Sequence, residues 1–208
     1  HSAHDLQRSP YGAFEAVPIE RVRAQFETNV FGPIELTRLV LPGMRRVRSG
    51  LIVNVSSMGG RLVFPGGAFY HATKHAVEAL SDALRFEVRG YGIHVVLIEP
   101  GLIRGGFGET AAATIETRPE VGTEYEEFNA AVARVTREAY QGGLVARLAG
   151  SPDDVARAIE RALSSRRPRP RIKVGPSARL LLAQRRWSSD RAWDRLMRRS
   201  FPSPGTGG

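Results

Sequence analysis

The spacing of hydrophobic residues predicts that helices and strands alternate along most of the chain. Apolar residues recur at helical intervals from Pro18 to Val47, although Gly32-Pro33 should kink or break this helix in the middle. The β-branched run LIVNVSS at 51–57 predicts a buried strand, and the apolar run at 93–99 predicts a second one. Between them, residues 69–88 predict a long helix. Its buried stripe is predicted to contain Ala76, Leu80, Ala83, Leu84 and Val88.

A strand, a helix and a second strand in this order form a right-handed βαβ unit, which places both strands in one parallel sheet. Further along, the pattern predicts helices around 124–140 and at 151–163, a third strand at 171–175 and a helical tail at 177–199. The predicted fold class is α/β, with helices flanking a doubly wound parallel sheet.

The formal net charge of +9 is concentrated near the C-terminus. Residues 166–199 contain eleven arginines and Lys173 against Asp190 and Asp194, a balance of +10, so the rest carries −1. Nucleic acid is not a predicted partner, because aromatic platforms for stacking bases are lacking. The absence of cysteine excludes disulfides and thiolate metal sites and fits a reducing, cytoplasmic location. No apolar run reaches the roughly 18 residues of a membrane span.

A tyrosine and a lysine one helical turn apart, in the segment FYHATKHAVEAL, carry the strongest chemical signal. Only two of the 30 basic residues are lysines, so the position of Lys74 is informative. Tyr70 and Lys74 share one face of the predicted helix. An ammonium group near a phenol lowers the pKa of the phenol from about 10, which suits proton exchange with an alcohol or ketone.

Two further features lie at the sheet edge where this helix begins. Ser57 ends the first strand and Pro100-Gly101 follows the second, and ligands bind at the carboxyl ends of parallel strands. A Ser57 hydroxyl in this place can hydrogen-bond a substrate oxygen while Tyr70 exchanges the proton. The glycine is expected to let the backbone approach a flat ligand closely. Glu99 is interpreted as a strand-end residue without a catalytic part.

Four motifs in order, TNVFG, IVNVSS, YHATK and IEPGLI, resemble the short-chain dehydrogenase/reductase family, and the similarity extends from Tyr11 to Phe201. The resemblance implies a Rossmann-like fold and an oxidoreductase that transfers a hydride between NAD or NADP and an alcohol or ketone. It does not choose between NAD and NADP. The tail also resembles that of family members acting on bulky apolar substrates.

The same resemblance assigns roles to individual residues. Tyr70 is the expected general acid/base, Ser57 orients the substrate carbonyl, and Asn29 holds a water in a proton relay. Lys74 lowers the pKa of Tyr70 and bonds the nicotinamide ribose. The implied cofactor-binding residues are Tyr70, Lys74, Pro100, Gly101 and Ile103.

The glycine-rich turn that seats the pyrophosphate in this family has no counterpart before Asn29. The sequence is family-like only from Tyr11 onward, so we expect an N-terminally truncated member without the first βαβ half of the Rossmann-like domain. The motif GFGETA at 106–111 matches G-x-G-x-x-A, but no strand ends directly before it, and a flexible substrate lid is favoured. Gly105 stands where the family often has threonine.

The chain is predicted to divide into three segments. Residues 1–10 form an unmatched, disordered N-terminus, 11–175 a partial Rossmann-like domain, and 176–208 a basic helical tail whose end at 202–208 is disordered. The truncation turns the strand at 51–57 into an exposed sheet edge with unpaired backbone groups, so we expect the isolated chain to be marginally stable or to form homo-oligomers through that edge.

Two alternative interpretations stay open. In the first, the chain is a non-catalytic remnant that keeps the catalytic residues without a grip on the cofactor. In the second, the arginine-rich tail binds an anionic membrane with Trp187, Trp193 and Leu196, although a solvated face against a neighbouring subunit is favoured. His71 and His75 are one turn apart, but without a third ligand no metal site is predicted, and His71 is expected at the surface or the pocket rim.

Overall fold

A parallel three-stranded sheet forms the centre of the computed structural model. Its strands are β1 (Gly50–Val55), β2 (Ile93–Pro100) and β3 (Arg171–Val174), in the order β1-β2-β3. β1 pairs with β2 from Gly50↔Ile93 to Val55↔Ile98, and β2 pairs with β3 from Leu97↔Arg171 to Pro100↔Val174. The predicted α/β class is confirmed, and β1 is an edge of the sheet among the described residues.

The structure describes residues 11–105, 111, 113–115, 123–142 and 146–205. The expected disordered segment at 1–10 and nearly all of the motif at 106–111 lie outside them. Within the described residues, the helices of eight or more residues are α1 (Ile19–Phe26), α2 (Gly32–Val47), α3 (Ala68–Val88), α4 (Glu126–Gln141), α5 (Pro152–Leu163), α6 (Pro176–Trp187) and α7 (Asp190–Met197).

Helices cover the sheet on both faces, so β2 is buried on both. Ile98 packs with Ala158 of α5 on one face, whereas Val95 packs with Val88 of α3 on the other. A strand covered in this way needs apolar side chains at successive positions, which explains the four consecutive buried apolar residues at 95–98 of β2.

Of the predicted kink or break at Gly32-Pro33, the break is wrong, because helical structure continues through the pair. A π-helical turn, Glu27–Phe31, joins α1 to α2, and Gly32 keeps right-handed helical backbone angles. Pro33 lies in the first turn of α2, where a missing N–H costs little. Asn29 therefore lies in a π-helical turn, a feature that is frequent at functional sites.

The buried face of α3 differs from the predicted stripe. Thr73, Val77, Ser81 and Val88 are buried, whereas Leu80 is 43% exposed. The true face includes two hydroxyl groups that have hydrogen-bond partners: Thr73 Oγ1 donates to the carbonyl of Tyr70, and Ser81 Oγ accepts from the Asn54 side chain. Hydrophobic periodicity alone misplaced the face because these buried positions are polar.

The basic tail folds back onto the core as two helices, α6 and α7. Ser189 caps α7 by accepting a hydrogen bond from the Ala192 N–H. Trp193 is buried beside Leu182 and Leu62, but Trp187 is 85% exposed, so the membrane face that was predicted to include both tryptophans does not exist as one surface. None of the described helices combines the length and apolar character needed to cross a membrane.

Candidate active site

Three predicted site residues meet where β1 ends and α3 begins. Ser57 follows β1, and Tyr70 lies in the first turn of α3. The Ser57 hydroxyl lies close enough to the Tyr70 phenol to lower its pKa by hydrogen bonding. Lys74 Nζ lies 5.9 Å from the centroid of the Tyr70 ring. The structure therefore brings a serine, a tyrosine and a lysine to one edge of the sheet.

Local backbone structure orients the Ser57 hydroxyl. Ser57 has extended backbone angles and caps the short 3-10 turn Met58–Gly60. Its Oγ accepts a hydrogen bond from the Gly59 N–H at 3.0 Å. Because a hydroxyl can accept and donate at once, Ser57 can still donate its own proton while it accepts from Gly59.

The electrostatics of Tyr70 and Lys74 differ from the expectation. Burial raises the pKa of Tyr70, and the hydrogen bond with Ser57 offsets this only in part. Burial lowers the pKa of Lys74, against the opposing charge of Glu78. Lys74 Nζ donates to the carbonyl of Val55 at 3.0 Å, at the end of β1. In this arrangement the predicted lowering of the Tyr70 pKa by Lys74 is not found.

Asn29 lies in the same region but contacts a different part of α3. Its Nδ2 donates to Thr73 Oγ1 at 3.1 Å, and Thr73 Oγ1 donates to the carbonyl of Tyr70 at 2.8 Å. The side-chain amide thus ties the π-helical turn to α3 beside Tyr70 and Lys74. We interpret the Asn29 side chain as a link between the π-helical turn and α3, in addition to its predicted role of holding a water.

The loop after β2 is held from behind by α6. The Gly101 N–H donates to the carbonyl of Val174 at 3.0 Å, and the Leu102 N–H donates to Ser177 Oγ at 2.9 Å. A Cβ atom on Gly101 would lie 2.3 Å from Ser177 Oγ. Packing against α6 therefore requires glycine here, whereas the sequence suggested that a ligand required it.

Ile103 has a backbone geometry that suits a ligand. It forms a parallel bridge with Gly150, in which the Arg104 N–H donates to Gly150 and the Gly150 N–H donates to Leu102. In such a bridge the neighbours of Ile103 make the hydrogen bonds to Gly150, so its own N–H and carbonyl point away from that residue.

Buried carboxylates lie below the same loop, and the sequence did not reveal them. Glu99, directly before Pro100, is fully buried, and Arg171 Nε lies 3.1 Å from Glu99 Oε1. The same Nε donates to Glu78 Oε2 of α3 at 3.1 Å. Burial and the charge of Glu78 raise the pKa of Glu99. Glu99 thus joins β2 to β3 and α3 under the site.

Two more tyrosines surround Tyr70. The ring of Tyr11 lies 6.1 Å from that of Tyr70, centroid to centroid, and Tyr140 of α4 is close enough for a charge on Tyr70 to raise its pKa. Burial raises the pKa of both Tyr11 and Tyr140. No sequence signal joins these three positions, because α4 is placed there only by the fold.

Histidine 71 is the clearest correction to the predicted site. It is 4% exposed, not at the surface, and its ring lies beside the Ser57 turn. Burial lowers the pKa of His71 to about 4. Among the described residues, no group of three or more histidine, aspartate or glutamate side chains is arranged to hold a metal ion.

Comparison with known proteins identifies the family to which the chain belongs. The family model described as short chain dehydrogenase matches residues 8–116. A 3-ketodihydrosphingosine reductase from Bacteroides thetaiotaomicron is 34% identical over 180 residues, which are 86% of this chain and 64% of the relative.

Two solved structures agree with this placement. A short-chain dehydrogenase from Streptomyces avermitilis is 34% identical with a TM-score of 0.68, covering 92% of this chain and 66% of its own. A serine dehydrogenase complexed with NADP+ is 25% identical with a TM-score of 0.64, covering 81% of this chain and 61% of its own. The chain thus spans somewhat less than two thirds of these three proteins. It belongs to the short-chain dehydrogenase family of oxidoreductases.

Proposed function

We propose that the protein is a nicotinamide-dependent oxidoreductase that interconverts an alcohol and a ketone, with Tyr70 as the general acid/base. The observation that carries this proposal is the meeting of Ser57, Tyr70 and Lys74 at one edge of the sheet, with Lys74 Nζ 5.9 Å from the centroid of the Tyr70 ring. Two hydroxyl donors side by side suit a carbonyl oxygen, which has two lone pairs to accept them.

The described residues fit the nicotinamide end of NAD or NADP. Lys74 supplies an ammonium group that suits the ribose hydroxyls, and the backbone N–H of Ile103 is directed away from Gly150. The relative complexed with NADP+ supports this assignment. When bound, the cofactor supplies or accepts the hydride.

In the direction of reduction, Ser57 donates its hydroxyl proton in a hydrogen bond to the ketone oxygen and fixes its position. Tyr70 transfers its phenolic proton to the same oxygen as that oxygen gains negative charge, so the product is a neutral alcohol. The raised pKa of Tyr70 keeps its proton in place until the oxygen becomes basic.

We propose a bulky, apolar ketone or alcohol as the substrate class. Aromatic side chains surround Tyr70, with Tyr11 at 6.1 Å and Tyr140 nearby. The similarity to a 3-ketodihydrosphingosine reductase supports a keto substrate. Rings of this size bury large apolar areas and so favour large apolar ligands over small polar ones.

The test has two parts. Binding of NADH and of NADPH to the purified chain is followed by cofactor fluorescence, and we expect saturation that Lys74→Ala weakens. The rates at which the protein reduces long-chain and short-chain ketones are then compared by following the absorbance of the reduced cofactor. A preference for the short, polar ketones would contradict the substrate class, and hydride transfer to none of the ketones would contradict the function.

A further inference from the structure

The ring of His71 occupies a space that two glycines leave open beside Ser57. A Cβ atom on Gly59 would lie 2.6 Å from His71 Nδ1, and one on Gly67 would lie 2.8 Å from His71 Nε2. Both distances are shorter than Cβ contacts in real proteins. The glycines at these two positions therefore allow the imidazole to lie directly against the backbone on both sides.

The two ring nitrogens of His71 bond to two backbone groups of opposite kind. Nδ1 lies 3.0 Å from the carbonyl oxygen of Gly59, and Nε2 accepts from the Phe64 N–H at 3.2 Å. A carbonyl can only accept and an N–H can only donate, so the ring must be neutral with its proton on Nδ1. One side chain thus holds both ends of the loop from Gly59 to Phe64.

The first of these ends leads directly to Ser57. Gly59, whose carbonyl accepts from His71, uses its N–H to donate to Ser57 Oγ at 3.0 Å. We infer that His71 is a positioning residue, which fixes the Ser57 hydroxyl through Gly59 in the orientation that the substrate oxygen requires. This inference rests on the proposed function for its catalytic consequence, but the positioning itself is a property of the loop.

The loop has a second support that does not involve His71. Trp193 of α7 donates through Nε1 to the carbonyl of Val63 at 3.1 Å, and its ring lies 6.0 Å from that of Phe64. With the Phe64 end held in this way, loss of the imidazole should release the Gly59 end more than the rest of the loop. The effect is therefore local to Ser57.

Three variants separate hydrogen bonding from the filling of space. In His71→Asn, the side-chain amide can reach Gly59 in place of Nδ1, because Asn Nδ2 lies at nearly the same distance from the backbone. In His71→Gln, the longer amide can replace Nε2 toward Phe64. His71→Phe fills the volume and makes neither hydrogen bond. His75→Asn is the matched control, since His75 is exposed one turn further along α3.

Two readouts follow from this design. We expect amide hydrogen exchange at Gly59 to speed up about tenfold or more in His71→Phe, and least in His71→Asn. We expect kcat/KM of the whole protein to fall on the order of 10- to 100-fold in His71→Phe, since small displacements of a reacting group have effects of this size. The loss should appear in kcat with cofactor binding unchanged, and His71→Asn should recover most of it.

A purely structural role gives the opposite order. If His71→Phe protects Gly59 and supports turnover as well as His71→Asn does, filling of space is sufficient and the inference is overturned. If the wild type transfers no hydride, the proposed function fails, whereas exchange at Gly59 still tests the positioning. If a variant does not fold, the wild-type protein still tests the inference, because ¹⁵N NMR of the His71 ring shows which ring nitrogen carries the proton. A proton on Nε2 would overturn the inference.

Discussion

Removal of one arginine should expose how much the buried carboxylates under the site depend on it. Arg171 of β3 has its Nε 3.1 Å from both Glu78 Oε2 and Glu99 Oε1, and it also pairs with Asp82. The side chains of Glu99 and Glu78 are only 0% and 7% exposed. We predict that Arg171→Met, which keeps the apolar stem, leaves these carboxylates without their main cation.

The expected cost follows from the geometry. Breaking a buried ion pair by removing one partner costs about 3–5 kcal/mol, because an uncompensated charge stays buried. Arg61 remains 3.7 Å from Glu99 Oε1, but its side chain is 45% exposed and solvent weakens the attraction. Arg61 still attracts the charge on Glu99, and Glu99 can take up a proton, so both reduce the loss in stability. We therefore expect Arg171→Met to lower the free energy of unfolding by about 3 kcal/mol at pH 7.

The raised pKa of Glu99 also predicts how the loss in stability changes with pH. The pKa of Glu99 is already raised in the folded chain, so folding takes up a proton between its unfolded and folded pKa values. Stability from this group therefore falls as the pH rises through that window. Loss of Arg171 raises the folded pKa of Glu99 further, and the destabilisation should be smaller near pH 5 than at pH 7.

Urea unfolding followed by tryptophan fluorescence measures the free energy of unfolding at both pH values. Arg134→Met is the matched control, because Arg134 and Glu138 form an exposed pair one turn apart on α4 and should contribute about 0.5 kcal/mol or less. If Arg171→Met costs no more than the control, or costs more at pH 5 than at pH 7, the assignment of a buried charge cluster is refuted.

Three further predictions concern single features of the fold. The pKa of His71 is about 4 against an ordinary 6.5, so stability should fall by up to about 3 kcal/mol as the pH drops through this range, and His71→Asn should remove that part of the slope. Ser151→Ala removes one half of a reciprocal capping pair with Asp154 and should cost about 1 kcal/mol in urea unfolding. Gly101→Ala forces a Cβ against Ser177 and should lower the melting temperature, whereas Gly90→Ala, with nothing within 4 Å, should not.

Hydrophobic periodicity was sufficient for the order of the strands and helices in the described chain. The apolar run that becomes β2 and the Ser151-Pro152-Asp153-Asp154 start of α5 are local signals, and each appears in the structure within a residue or two of its predicted place. The face of α3 could not be predicted in this way, because its buried positions include Thr73 and Ser81. Their side-chain partners, Asn29 and Asn54, come from other parts of the chain.

The candidate site likewise contains residues that could be predicted from the sequence and residues that could not. Ser57, Tyr70 and Lys74 were readable because their spacing in sequence follows directly from a strand end and a helical turn. The surroundings of Tyr70 were not, since Tyr140 arrives on a helix seventy residues later. The burial of His71 was not predicted for a related reason, because it depends on the loop that folds over the ring. Gly59 and Gly67 leave space for this ring, and their role can be recognised only in the folded structure.

The central claim is that Tyr70 supplies and removes the proton during hydride transfer. The most direct measurement compares hydride transfer by the whole protein with that of Tyr70→Phe, using Tyr91→Phe, a tyrosine that is 38% exposed, as the control. We predict a loss of about 10² to 10⁴ in kcat for Tyr70→Phe, with cofactor binding retained and the control unchanged. A Tyr70→Phe variant that keeps the wild-type rate would contradict the claim.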